Sequence, residues 1–209
     1  MAIDDLLDEH EQSERVLAWL RANGAGLIGG IALGLAAIGG WKWWGNHQLE
    51  THGKAATEFQ AAVDAVQAKD KAAAAKVKAL PPGMYQTLAS LDLAKSQVDA
   101  DQRDAAIATL RGIKTEDAAI AEIVKQRLAR LLIDAKQPAE AIKLLDKSTS
   151  PMAIEVRGDA QFALGKPELA RADYGTALAK LDEASPRRRL LELKLTEAGG
   201  TPAKPEAKS

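Results

Sequence analysis

No charged side chain occurs between Ala22 and Trp41, and this run limits the possible folds more than any other feature of the sequence. Because an α-helix rises about 1.5 Å per residue, the run would reach about 30 Å, which is the thickness of the hydrocarbon core of a bilayer. Trp41, Trp43 and Trp44 cluster at one end, where amphipathic rings prefer the headgroup region. The sequence therefore predicts a single N-terminal transmembrane helix over residues 22–44, in contact with the lipid bilayer.

The residues before this run, 1–21, are predicted to form a short acidic arm. A cleavable signal peptide needs a positively charged start and an apolar core of about 7 to 15 residues. This start is acidic and the apolar run is longer, so we favour an uncleaved anchor, although Gly34 and Ala36 would fit a cleavage site. Two basic residues flank the run on each side, so the charges do not decide its orientation.

Three glycines recur at every fourth position of the apolar run, namely Gly26, Gly30 and Gly34. Residues with this spacing lie on one face of a helix. A stripe of small residues allows the backbone of a second membrane helix to approach closely. We therefore predict a contact with another membrane helix through these glycines. The alternative is that glycine is simply common in transmembrane helices.

The composition predicts helices in the remainder of the chain. Aromatic residues make up only 4% of the sequence, and alanine, which has the highest helix propensity, supplies much of the apolar content. Sheets instead favour β-branched and aromatic residues, and no stretch alternates as a strand would. We predict an all-α domain over residues 45–198 and a disordered tail over residues 199–209.

Charge and residue types argue against several classes of function. The net charge of −1 lacks the basic excess that nucleic-acid binding requires. The absence of cysteine excludes disulfides, thiol catalysis and Cys-ligated zinc. His47 and His52 lie five residues apart, whereas two metal ligands on one helix face are three or four apart. We therefore predict no enzyme, no catalytic or metal-binding residues, no cofactor and no small-molecule substrate.

Small and large residues recur at fixed distances in three segments of the helical region. Each segment holds a small residue, a turn seven residues later, an alanine five residues after the turn, and a large residue four positions further on. The residues predicted to pack each helix pair are Ala94, Ala106 and Leu110, then Ala129, Ala141 and Leu145, and finally Gly158, Ala170 and Tyr174. Their turns are at Asp101, Lys136 and Gly165. A fourth, less distinct copy would use Ala62, Lys69 and Ala74.

This pattern resembles the tetratricopeptide repeat, in which two antiparallel helices touch through a small residue and an alanine. The copies are 35 and 29 residues apart, whereas the regular repeat has 34, so we predict an α-α superhelix of about three to four degenerate repeats. The alternative is an ordinary helical bundle in which the small residues recur at these distances by coincidence.

A repeat domain of this type binds through the concave face formed by its first helices. The positions predicted to line such a groove are Lys95, Val98, Arg130, Ile133, Asp159 and Phe162. The alternative is that these residues belong to the core between repeats.

Taken together, three stretches make the chain resemble the ancillary SecYEG translocon subunits, which are tetratricopeptide-like inner-membrane proteins of Gram-negative bacteria. The stretches are EQSERVLAWLR, WKWW and GDAQFALGKPELARADY. The resemblance implies a cytoplasmic N-terminus, one pass through the inner membrane and a periplasmic helical domain. It also implies two partners, the Sec translocon subunits and a membrane-anchored periplasmic chaperone.

The function that this resemblance implies is a membrane-anchored interaction scaffold that assists in the handling of newly exported proteins. The alternative is a bitopic structural or regulatory membrane protein whose helical repeats are passive.

Overall fold

The computed structural model describes residues 9–202, and within that range all side chains except those of residues 9–12 and 49–52. The start of the predicted acidic arm, residues 1–8, and most of the predicted tail, residues 203–209, lie outside the described residues. The described part is entirely α-helical and has no strand, as predicted. Its helices are α1 (Glu9–Gln67), α2 (Ala73–Ala79), α3 (Met84–Asp99), α4 (Arg103–Gly112), α5 (Ala118–Asp134), α6 (Pro138–Leu145), α7 (Pro151–Ala163), α8 (Pro167–Lys180) and α9 (Arg188–Glu197).

The chain divides into two compact units, Met1–Lys54 and Ala55–Ser209. The division lies ten residues beyond the predicted end of the membrane segment at Trp44. Helix α1 itself extends to Gln67. The first unit contains the apolar part of α1, which is long and apolar enough to cross a membrane. Its large apolar side chains are exposed, from Leu27 to Ile38. Soluble monomers rarely expose so continuous an apolar surface, so α1 is the candidate membrane span that the sequence predicts.

The second unit is a series of helix pairs, in which α3 packs on α4, α5 on α6 and α7 on α8. Proline opens α6, α7 and α8, at positions 138, 151 and 167, where its missing N–H would have no intrahelical partner. Asp117 and Ser150 cap α5 and α7 by accepting hydrogen bonds from backbone N–H groups of the first turn. Local sequence signals thus define where α5, α6, α7 and α8 begin.

The end of α1 and helix α2 form a further, earliest pair, since both contribute to one buried cluster. The same turn ends the first helix of all four pairs. Lys69, Asp101, Lys136 and Gly165 all have a positive φ, between 54° and 71°. In each case the N–H of the following residue donates to a carbonyl five residues earlier, as from Gln137 to Leu132 over 2.7 Å. This is the Schellman arrangement, in which one left-handed residue reverses the chain and satisfies the last helical carbonyls. The turns recur at the positions that the repeat alignment gives, so the tetratricopeptide-like fold is confirmed.

All nine residues predicted to pack the helix pairs are buried in the structure. The tightest contact lies between Gly158 on α7 and Tyr174 on α8. A Cβ atom added to Gly158 would lie only 2.6 Å from Cε1 of the Tyr174 ring. In the earliest pair the buried alanine of α2 is Ala73, whereas Ala74 is exposed. That pair differs by one residue from the alignment because its connection is longer. Helix α2 begins four residues after Lys69, whereas α4, α6 and α8 each begin two residues after the equivalent left-handed residue.

Gly158→Ala should lower the free energy of unfolding by about 1–2 kcal/mol, because the added methyl group overlaps the Tyr174 ring. The loss would exceed the gain in helix propensity of about 0.5–1 kcal/mol. Urea unfolding of the full chain in detergent, followed by circular dichroism, measures the change.

Gly175→Ala is the matched control, since Gly175 also lies within a helix but has no atom within 4 Å of an added Cβ. That variant should be stabilised by about 0.4–1 kcal/mol. Equal effects of the two substitutions would contradict the close contact between Gly158 and Tyr174.

Candidate interaction groove

Three of the six predicted groove residues line one cavity in the second unit. Lys95 and Val98 on α3 lie across from Arg130 on α5, and the cavity between them has a volume of about 240 Å³. The other lining residues are Leu91, Ala94, Leu110, Arg127 and Leu131. We call this cavity the α3–α5 groove.

The groove has an apolar floor, to which both α3 and α4 contribute. Leu91, Ala94 and Leu110 form this floor and are almost completely buried. Val98 forms part of the wall and keeps 43% of its surface exposed. An apolar side chain from another molecule could therefore contact the floor without displacing any helix.

Three cations surround this floor, namely Lys95, Arg127 and Arg130. Within residues 13–48 and 53–202, no carboxylate forms an ion pair with any of them. The lining of the groove includes no acidic residue. A cationic rim above an apolar floor attracts groups that combine a carboxylate with aliphatic carbon.

Asp159 does not belong to this groove, although it directly follows the small residue of its repeat as Lys95 and Arg130 do. Its carboxylate accepts hydrogen bonds from the Tyr174 hydroxyl over 2.9 Å and from Nζ of Lys194 over 2.8 and 2.9 Å. Asp159 thus binds the adjoining helices α8 and α9. Its role is to hold α9 against the last helix pair.

Glu155 lies one turn before Asp159 on α7 and is only 2% exposed. Its two carboxylate oxygens each accept one charged hydrogen bond over 2.8 Å, from Lys194 and from Arg187. Burial alone would raise the pKa of Glu155, but the hydrogen bonds from Lys194 and Arg187 outweigh that effect and lower it. The carboxylate therefore stays ionised although it is buried.

The Tyr174 hydroxyl completes this charged cluster. Burial, together with the nearby Asp159 carboxylate, raises the pKa of Tyr174. The phenol therefore remains protonated and acts as a hydrogen-bond donor to Asp159.

The two remaining predicted positions, Ile133 and Phe162, lie outside the lining of the α3–α5 groove. Ile133 is half-buried and packs against the main core, which agrees with the alternative that such residues lie between repeats. Phe162 keeps 38% of its surface exposed near the end of α7.

Sequence reasoning missed several residues that the structure brings together. Arg127 and Leu131 line the groove beside Arg130, and their spacing of three and four residues along α5 was a signal that could have identified them. The pairing of Glu155 with Lys194 spans thirty-nine residues and has no local signal.

Lys194→Met should destabilise the second unit at neutral pH by about 2–4 kcal/mol, because it leaves the buried Glu155 with one cation instead of two and removes the cation that binds Asp159. The pKa of Glu155 is lowered in the folded protein, so its stabilising contribution is present above the ordinary value of about 4.5. That contribution is lost as the pH falls through the lower, folded value.

The difference in the free energy of unfolding between wild type and Lys194→Met should therefore be smaller at about pH 3 than at about pH 7. Urea unfolding at both pH values measures this difference. Arg188→Met is the control, since Arg188 forms only an i,i+4 pair with Glu192 worth about 0.3–0.5 kcal/mol. A pH-independent effect of Lys194→Met would contradict this assignment to Glu155.

Comparison with known proteins supports the fold and assigns the family. Residues 17–200 match the family model described as a tetratricopeptide repeat-like domain. No solved structure gives a significant match to the chain.

Several curated relatives are named ancillary SecYEG translocon subunit. The relative from Escherichia coli is 33% identical over 176 residues, which are 80% of this chain and 85% of the relative. The relative from Neisseria gonorrhoeae is 27% identical over 205 residues, covering 90% of this chain and 96% of its own length. The relative from Haemophilus influenzae is 26% identical over 181 residues, with 82% and 89% covered. The chain therefore belongs to the ancillary SecYEG translocon subunit family.

Proposed function

We propose that this protein is a membrane-anchored interaction scaffold that associates with the Sec translocon and assists newly exported proteins. The observation that carries the proposal is the combination of two features in one chain. One is the apolar helix α1, which is long enough to cross a membrane. The other is a repeat unit with an accessible groove. Relatives that cover most of the chain are named as subunits of the same translocon.

The lining of the groove suits binding rather than catalysis. Its polar side chains are one lysine and two arginines, and it includes no carboxylate, hydroxyl, thiol or imidazole group. The remaining lining side chains are aliphatic. We therefore propose that the repeat unit holds polypeptides and is not an enzyme.

The proposed arrangement places residues 1–21 in the cytoplasm, α1 across the inner membrane and the second unit in the periplasm. In that compartment the second partner would be a membrane-anchored chaperone, as the family resemblance implies. The competing hypothesis is a bitopic structural or regulatory protein in which the repeats contact nothing.

Photocrosslinking in native membranes separates these two hypotheses. A photoreactive residue at Leu35, an exposed position in the apolar part of α1, should crosslink to a Sec translocon subunit. The same probe at Phe162 should crosslink to a periplasmic chaperone, which would also establish on which side of the membrane the second unit lies.

A probe at Lys143, which is exposed on the second helix of its pair, is the control and should capture neither partner. If Leu35 and Phe162 both give only the background seen at Lys143, the passive-repeat hypothesis is favoured.

We also propose that Gly26, Gly30 and Gly34 form the contact of α1 with a membrane helix of the translocon. The space beside these glycines is open, since no atom lies within 4 Å of an added Cβ at any of them. A partner helix could therefore approach the backbone of α1 closely along this face.

Gly30→Ile should reduce the amount of translocon that copurifies with the full chain several-fold, because the branched side chain separates the two backbones. Gly29→Ile is the matched control, since it adds the same side chain to the next residue, outside the stripe. Quantitative immunoblotting of the purified complexes measures both. Equal retention in the two variants would leave the stripe without this role.

A further inference from the structure

The volume and floor of the α3–α5 groove match a large aliphatic side chain. A cavity of about 150 Å³ lined by apolar side chains accommodates a benzene molecule, and this groove offers about 240 Å³. Its walls include Val98 and Leu131, and its floor is closed by Leu110 from α4. One leucine or isoleucine side chain, with part of its neighbour, would fill it.

Several cations of the second unit are held by carboxylates of the chain itself, whereas, among the described residues, the three cations of the groove are not. Arg111 pairs with Glu140 over 2.7 Å, Arg157 pairs with Asp173, and Arg187 and Lys194 bind Glu155. Lys95, Arg127 and Arg130 form no such pair within residues 13–48 and 53–202.

The cations stand on both sides of the floor. Arg127 and Arg130 are three residues apart on α5 and therefore share one face of that helix, and Lys95 lies on α3. Arginine binds carboxylates through two parallel hydrogen bonds, which fixes the orientation as well as the charge of the ligand. A ligand would thus present carboxylates on both sides of one aliphatic group.

The third repeat forms an ion pair at the equivalent position within the chain itself. The position that holds Lys95 and Arg130 in the first two repeats holds Asp159 in the third. There a segment of opposite charge is bound, because Lys194 of α9 donates to both oxygens of Asp159. The groove presents cations at this position, so its complement is an acidic segment.

From these observations we infer that the α3–α5 groove binds an acidic apolar segment of another polypeptide, in which one large aliphatic side chain is flanked by aspartate or glutamate. This inference rests on the proposed function, and it adds the chemistry of the segment that the scaffold recognises. The acidic arm of the chain itself would lie across the membrane in the proposed topology, so the segment belongs to a partner.

The test is the binding of a fluorescent peptide to the full chain in detergent micelles, measured by anisotropy. The peptide has about twelve residues, with one central leucine and glutamates on both sides of it. Two matched peptides replace every glutamate by glutamine or by lysine. The glutamate peptide should bind at least about tenfold more tightly than the glutamine peptide, and its affinity should fall as salt is added.

Variants locate the binding in the groove. Arg127→Glu combined with Arg130→Glu should weaken binding of the glutamate peptide about tenfold or more and should create binding of the lysine peptide. Lys125→Glu is a control for reversal of one charge on the same helix, because Lys125 is exposed outside the groove. It should change the affinity less than about twofold, since charges on the solvent face are screened. Circular dichroism establishes that each variant is folded.

Equal affinity for the three peptides would overturn the inference, as would an equal loss of binding in Lys125→Glu. Binding of a short-chain phosphatidylglycerol at the groove without binding of the glutamate peptide would overturn it in favour of a lipid ligand. Copurification of the wild-type chain with the Sec translocon, measured in parallel, tests the proposed function separately. If the chain copurifies but no peptide binds, the inference about the groove fails while the proposed function stands.

Discussion

The second unit depends on the close approach of two helices at a residue that has almost no side chain. Ala94, Ala129 and Gly158 occupy this position in the three clearest pairs and are buried. The opposing helix can then place a large side chain beside them, and at Gly158 the aromatic ring of Tyr174 leaves no room even for a methyl group. Because interiors are close-packed, this contact fixes where each second helix lies, and therefore where the next pair begins.

The repeats share this packing but differ in the charge of the residue that directly follows the small residue, namely Lys95, Arg130 or Asp159. This difference in charge corresponds to two different roles. In the first two repeats the position is cationic and borders an open groove. In the third it is acidic and holds α9 through Lys194. The same helix geometry thus forms the open α3–α5 groove in the first two repeats and the closed contact between α7 and α9 at the end of the array. The net charge of −1 for the whole chain conceals this local separation of charge.

The fold could largely be predicted from the sequence because its determinants are local. The length of the run without charged side chains predicted the apolar helix. The spacing of small residues around the turns at Asp101, Lys136 and Gly165 predicted the helix pairs. The earliest pair was less predictable, since alanine fills both candidate positions and the connection before α2 is longer than in the other pairs, with Ala73 inside. The candidate site was predicted less well. Lys95, Val98 and Arg130 meet in one groove, but Asp159 contacts a helix thirty-five residues further along the chain, which no local pattern indicates.

The contact between α7 and α9 also bears on how a chain of this kind could change in length during evolution. Repeat arrays grow by duplication of a unit, and their ends need a special unit that covers the last apolar face. Here α9 covers Ile154, Tyr174 and Leu178 and is held by two acidic residues on α7, Glu155 and Asp159. A repeat inserted directly before α9 would have to carry acids at both of those positions. A repeat inserted upstream of α7 would be free of that requirement, so variation in the number of repeats should be easier there.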